Sequence, residues 1–103
     1  MAARKSRCNW RMLPPLYAHR LGRAYGPDSS AAALRGALAA GVDALETDVC
    51  LTADGALALL HDPYLPLGTD FEGFAHERTA HELRRARLRD RDGRLTAESP
   101  LFV

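Results

Sequence analysis

The chain predicts an α/β fold, and three observations carry that expectation. Three apolar runs, "LYAHR", "ALETD" and "LALLHD", each end in polar or ionisable residues. An alanine-rich stretch of helical character lies between the first two runs. Glycine, proline, aspartate and serine punctuate the intervals, as they do between βα units of a parallel sheet.

Taken in order, "MAARKSRCNWRM" is a basic leader over residues 1–12 without an apolar run of signal-peptide length, and it reads as a loose tail. Two prolines then precede Leu16 to Ala18, a short buried strand that stops at His19 and Arg20. "RAYGPDSS" is a turn in which Asp28, Ser29 or Ser30 can cap a helix. "AAALRGALAAG" places Leu34 and Leu38 four apart among alanines, with Gly41 as a stop. Its small side chains suit close packing on a sheet.

In "VDALETDVC", Ala44, Glu46 and Asp48 share one strand face and Leu45, Thr47 and Val49 the other. After the turn "TADG", "ALALLHDP" is a third strand ending at His61, Asp62 and Pro63. A parallel crossover needs about a dozen residues. The interval from Asp48 to Ala56 is shorter, so an antiparallel hairpin through Asp54-Gly55, pairing position 48 with 61, competes with a parallel arrangement. Both bring Asp48 near His61. Residues 63–78 read as a flap loop with three aromatics, and 79–89 as a helix capped by Thr79 and Glu82, with Leu83 and Leu88 as its apolar stripe.

Composition narrows the function. With 103 residues, 47% hydrophobic and 26% charged, the chain is ordinary globular material for one domain at most. A net charge of +1 marks no particular partner. Cys8 and Cys50 are too few for a disulfide framework. No segment is apolar enough to span a bilayer, and the expected location is cytoplasmic. Arg78, Arg84, Arg85, Arg87, Arg89, Arg91 and Arg94 alternate with Glu77, Glu82, Asp90 and Asp92, a solvated face and no nucleic-acid surface.

The Glu46-Thr47-Asp48 segment raises the chemical question. Alternate residues on one strand face lie about 6.5 to 7 Å apart, so Glu46 and Asp48 can converge on one point. Unpaired in a dry site they would repel, and a divalent cation removes the repulsion. Oxygen ligands suit magnesium, calcium or manganese. The plain alternative is a half-exposed strand with both acids in water. His19 with Arg20, and His61 with Asp62, occupy matching strand ends and shift the balance. Histidine transfers protons near neutral pH and arginine matches phosphate oxygens, so the set suits metal-assisted attack at phosphorus.

"YAHR", the alanine-rich helix and "ALAAGVDALETDVCLTADGALALLHDP" resemble the start of the glycerophosphodiester phosphodiesterase family, whose pattern is His-Arg, Glu-x-Asp, Thr-x-Asp-Gly and His-Asp. The resemblance covers about Leu13 to Pro63. It implies the N-terminal portion, about three strands over residues 13–103, of a TIM-barrel enzyme that cleaves glycerophosphodiesters, its small-molecule substrates, to an alcohol and glycerol 3-phosphate. By carry-over Glu46 and Asp48 bind a divalent metal, Mg or Ca, His19 and His61 form the acid–base pair, and Arg20 holds phosphate.

Two departures mark a divergent branch. Leu21 precedes Gly22 where the family has glycine directly after His-Arg, and Pro27-Asp28-Ser29-Ser30 replaces Pro-Glu-Asn-Thr. A barrel of this type takes about 250 residues. The family's third carboxylate ligand and phosphate-binding lysine lie on later strands. The expectation is therefore the front of a longer enzyme, inactive alone. The alternative is an inactive remnant that needs a partner chain to complete its sheet.

Overall fold

The computed structural model describes residues 16–103, so the leader expectation at 1–12 lies outside the described residues. Strand β1 (Tyr17–Ala18) runs parallel to β2 (Ala44–Leu45), with Tyr17 opposite Ala44 and Ala18 opposite Leu45. Helix α1 (Ala31–Ala40) makes the crossover. The Leu16 N–H donates to Asp43 Oδ2 at 2.7 Å, which fixes the register at the start of the pair. The βα reading of the first half is thus realised.

Helix α1 begins at Ser30, whose hydroxyl accepts from the Ala33 N–H at 3.0 Å, and ends at Gly41, with φ of 75°. Ser30 is therefore the cap among the three candidates. Its first turn also gains Glu98, whose Oε1 accepts from the Ala32 N–H at 3.0 Å. The most deeply packed face is alanine: Ala33 and Ala37 are fully buried, Leu34 is only partly buried against the core, and Leu38 is exposed. Small side chains let the preceding loop approach closely. A Cβ on Gly22 would stand 2.7 Å from the Ala33 carbonyl oxygen.

Strands β3 (Cys50–Leu51) and β4 (Leu57–Ala58) form an antiparallel hairpin, which settles the alternative left open by the sequence. Cys50 faces Ala58, so continuing the register sets Asp48 against Leu60, one place short of His61. The loop is longer than a two-residue turn because Thr52 closes it: its N–H donates to the Ala56 carbonyl at 2.9 Å, and its hydroxyl accepts from the Ala56 N–H at 2.9 Å.

Residues 58 to 60 are buried on both sides. Ala58 and Leu60 pack with Leu65, Ala75, Leu83 and Leu88, while Leu59 packs with Leu21 and Ala33. This is the period of two in an extended chain. The terminal "PLFV" lies antiparallel beside β4, with Ala58 bridged to Phe102 and the Leu59 N–H donating to Leu101 O at 2.8 Å.

The stretch 63–78, expected as a flap, folds against this core through Leu65 and Ala75, each 1% exposed. The expected helix over 79–89 is shorter. Helix α2 (Ala80–Leu83) has the Thr79–Glu82 capping box, but the chain then turns so that Ala86 and Leu88 are buried and Leu88 bridges to Thr69. Burial at 83, 86 and 88 is not a helical stripe.

Candidate active site

His19, Arg20 and Leu21 form a 3-10 turn directly after β1. Arg20 and Leu21 adopt left-handed φ of 51° and 60°, a conformation that costs an L-residue about 1–2 kcal/mol. Contacts to one acid hold it in place. The Arg20 N–H donates to Glu46 Oε1 at 3.0 Å and the Leu21 N–H to the Glu46 carbonyl at 2.8 Å. Glu46 in turn donates its N–H to Ala18 O at 2.9 Å, continuing the β1–β2 ladder. His19 Nε2 lies 3.7 Å from Glu46 Oε1. Leu21 is 5% exposed and seated in the core, so burial of its side chain offsets the strain of the turn.

The Arg20 guanidinium turns to Asp28, with Nη1 2.6 Å from Oδ2. Arg23 Nε stands 3.3 Å from the other oxygen of the same carboxylate. The loop carrying Asp28 is tied back by the Ser29 N–H to Arg20 O at 2.7 Å and by Ser29 Oγ to Thr47 Oγ1 at 2.8 Å. Sequence reading placed Asp28 as a cap candidate and passed over Arg23; only contact across the loop reveals them.

His61 Nδ1 lies 3.2 Å from Asp62 Oδ2, and both side chains are partly exposed. They line an open cleft of about 210 Å³ together with Arg23, Asp28 and Arg91. Asp48 is half-buried, and among the described residues its carboxylate makes no hydrogen bond or ion pair. Its charge, with that of Asp62, is felt at the Cys50 thiol, whose pKa is pushed up first by burial and then by these two acids. By the hairpin register Asp48 stands opposite Leu60, the residue before His61.

Glu46 thus joins His19 and Arg20, while Asp48 makes no hydrogen bond or ion pair with either of them among the described residues. Among the described residues no direct contact links Glu46 to Asp48 or His19 to His61, and no group of three or more His, Cys, Asp or Glu side chains converges closely enough to hold a metal ion. The chemistry of the two acids, hard carboxylate oxygens, fits part of the coordination sphere of magnesium or calcium.

The "TADG" turn has a different task. Asp54 Oδ1 accepts from the Thr52 hydroxyl at 2.6 Å and from the Ala80 N–H at 3.1 Å. These bonds hold its carboxyl below the usual range, that from Thr52 contributing most. Asp54 ties the hairpin to the start of α2 and takes no part in the site.

A parallel βαβ unit thus carries a histidine, an arginine and a carboxylate at its strand ends. The glycerophosphoryl diester phosphodiesterase family matches this chain over residues 19–102, and the chain belongs to that family. A glycerophosphodiester phosphodiesterase of Bacillus altitudinis is 39% identical over 70 residues, which cover 68% of this chain and 29% of that protein. One from Caldanaerobacter subterraneus is 37% identical over 68 residues, 66% of this chain and 28% of that protein.

Among solved structures, a glycerophosphoryl diester phosphodiesterase from Parabacteroides distasonis superposes with a TM-score of 0.82 at 29% identity, covering 88% of this chain and 32% of that one. An Oleispira antarctica phosphodiesterase in complex with the product sn-glycerol-3-phosphate has a TM-score of 0.67 at 32% identity, covering 75% and 31%. The chain thus spans under a third of the length of these relatives. Among the described residues no helix is long and apolar enough to cross a membrane.

Proposed function

We propose that these residues form the front part of a TIM-barrel enzyme that hydrolyses glycerophosphodiesters to an alcohol and glycerol 3-phosphate. The observation that carries the reading is the tie between Glu46, His19 and Arg20, set at the ends of two parallel strands within the family match. His19 and His61 act as the acid–base pair. One imidazole takes the proton of the neighbouring glycerol hydroxyl as that oxygen attacks phosphorus, and the other protonates the departing alcohol. Water then opens the cyclic phosphate with the roles reversed. Asp62, at Nδ1 of His61, orients that ring and leaves Nε2 for proton transfer. Arg20 contributes its positive charge to holding the phosphate, from the loop that Asp28 braces.

Glu46 and Asp48 are the residues that would hold a divalent metal, Mg or Ca, which supplies positive charge to the phosphoryl oxygens. Two carboxylates leave most of its coordination to other donors, so the 103-residue chain alone is expected to be inactive. One observation favours a second reading, an inactive remnant whose sheet another chain completes: Leu45, Val49 and Leu51 are 42%, 48% and 57% exposed, apolar surface that further strands would cover.

A coupled assay for glycerol 3-phosphate release separates the two. It compares this chain with a protein carrying the same sequence at the front of a complete barrel, with and without chelator. Chelator-sensitive release by the complete barrel supports the enzyme. No release from the barrel, with this chain folding only beside a partner, supports the remnant.

A further inference from the structure

We infer that Arg23 is a second phosphate-holding arginine, paired with Arg20 across the Asp28 carboxylate; the inference rests on the phosphodiesterase reading above. Three observations carry it.

The first is charge. Asp28 Oδ2 meets Arg20 Nη1 at 2.6 Å and Oδ1 stands 3.3 Å from Arg23 Nε, so two guanidiniums share one carboxylate. The nearby Glu46 carboxylate is taken by the Arg20 main-chain N–H and faces His19. Taken by itself, the trio of Arg20, Arg23 and Asp28 carries one net positive charge, its side chains 18%, 37% and 27% exposed, and a phosphodiester carries one negative charge.

The second is incomplete hydrogen bonding. Arg20 Nε, Arg23 Nε and Asp28 Oδ1 are buried atoms without an aligned partner among the described residues, and the 3.3 Å contact is an ion pair of poor angle. A half-satisfied polar network is costly, and the Arg23 terminal nitrogens, which make no hydrogen bond among the described residues, are the donors left for an anion.

The third is place. Arg23 lines the cleft that holds His61 and Asp62, and it also lines the neighbouring hollow that holds His19. It therefore shares a cavity wall with each imidazole, and a phosphodiester that reaches both has to pass it. Arg20 lines neither. The Arg23 terminal nitrogens form a planar fork that matches two phosphate oxygens, while Asp28 keeps the fork from swinging away.

The test is calorimetric binding of glycerol 3-phosphate to a complete barrel carrying this sequence and to its Arg23→Gln, Arg23→Lys and Arg35→Gln variants, with circular dichroism to verify that each is folded. Arg35, exposed on α1, is the control. The expected result is loss of about ten- to a hundredfold in affinity for Arg23→Gln, a smaller loss for Arg23→Lys, which keeps the charge without the fork, and none for Arg35→Gln. Equal affinity in wild type and Arg23→Gln overturns the inference, as does a folded wild type that binds nothing. Arg23-dependent binding, together with a complete barrel that releases no glycerol 3-phosphate from diesters, upholds the anion site and strikes down the phosphodiesterase reading.

Discussion

Gly36 sits inside α1, where alanine is ordinarily the better residue by about 1 kcal/mol. Here Gly36→Ala is expected to destabilise. A Cβ at position 36 would collide with Tyr25 Cβ and Cγ. Rotation about the Tyr25 side chain moves its ring but cannot move its Cβ, which the backbone fixes, so the loop itself must shift. Such overpacking costs about 1–3 kcal/mol, which exceeds or matches the helical gain and leaves a net loss of about 1 kcal/mol. Partners in contact are coupled, and a double-mutant cycle isolates the coupling.

Tyr25→Ala keeps the offending Cβ and does not rescue Gly36→Ala, whereas Tyr25→Gly removes it. In the Tyr25→Gly background, Gly36→Ala turns stabilising by about 1 kcal/mol, the propensity term alone. Urea unfolding followed by circular dichroism measures all four corners of the cycle. Stabilisation of the otherwise wild-type protein by Gly36→Ala would refute the reasoning, because the loop that carries Arg23 and Asp28 would then not lie against α1.

Two further outcomes concern the second half of the chain. Asp54 and Glu82 both have carboxyl pKa values below the ordinary range, Asp54 first through Thr52 and Glu82 first through the Thr79 N–H. A depressed folded value means stability that is present above the unfolded pKa, about 4, and lost as pH falls through the lowered one. Unfolding midpoints below that pH should therefore drop less steeply in Asp54→Asn/Glu82→Gln than in wild type; parallel curves would contradict this. Thr79→Ala removes the hydroxyl that accepts from the Glu82 N–H at 3.1 Å, and urea unfolding should register a loss of about 1 kcal/mol.

Local chemistry made the first βαβ unit legible. Ser30 and Gly41 delimit α1 by caps whose mechanism lies within a few residues, and the Thr79–Glu82 box is equally local. The strand-end positions of His19, Arg20 and Glu46 followed from where the apolar runs stop. Features built from distant partners were not legible. Nothing near Ala32 announces that Glu98 will cap its N–H from 66 residues away.

The hairpin register slipped by one because the Thr52 hydroxyl competes with the backbone for Ala56, which the Asp54-Gly55 signal conceals. The arginine-rich stretch after Leu83 has helical composition, yet burial of Ala86 and Leu88 bends it away. Arg23 looked like one more loop arginine until Asp28 was seen to hold two guanidiniums.

The central claim is that the Glu46 carboxylate and the His61 imidazole serve one phosphodiester site. Its most direct measurement is release of glycerol 3-phosphate by a complete barrel carrying Glu46→Gln or His61→Ala, with folding verified by circular dichroism. Each substitution is expected to abolish hydrolysis while the fold persists, since one removes the charged acid beside His19 and the other a proton-transfer group. Near-normal rates in both variants would contradict the account.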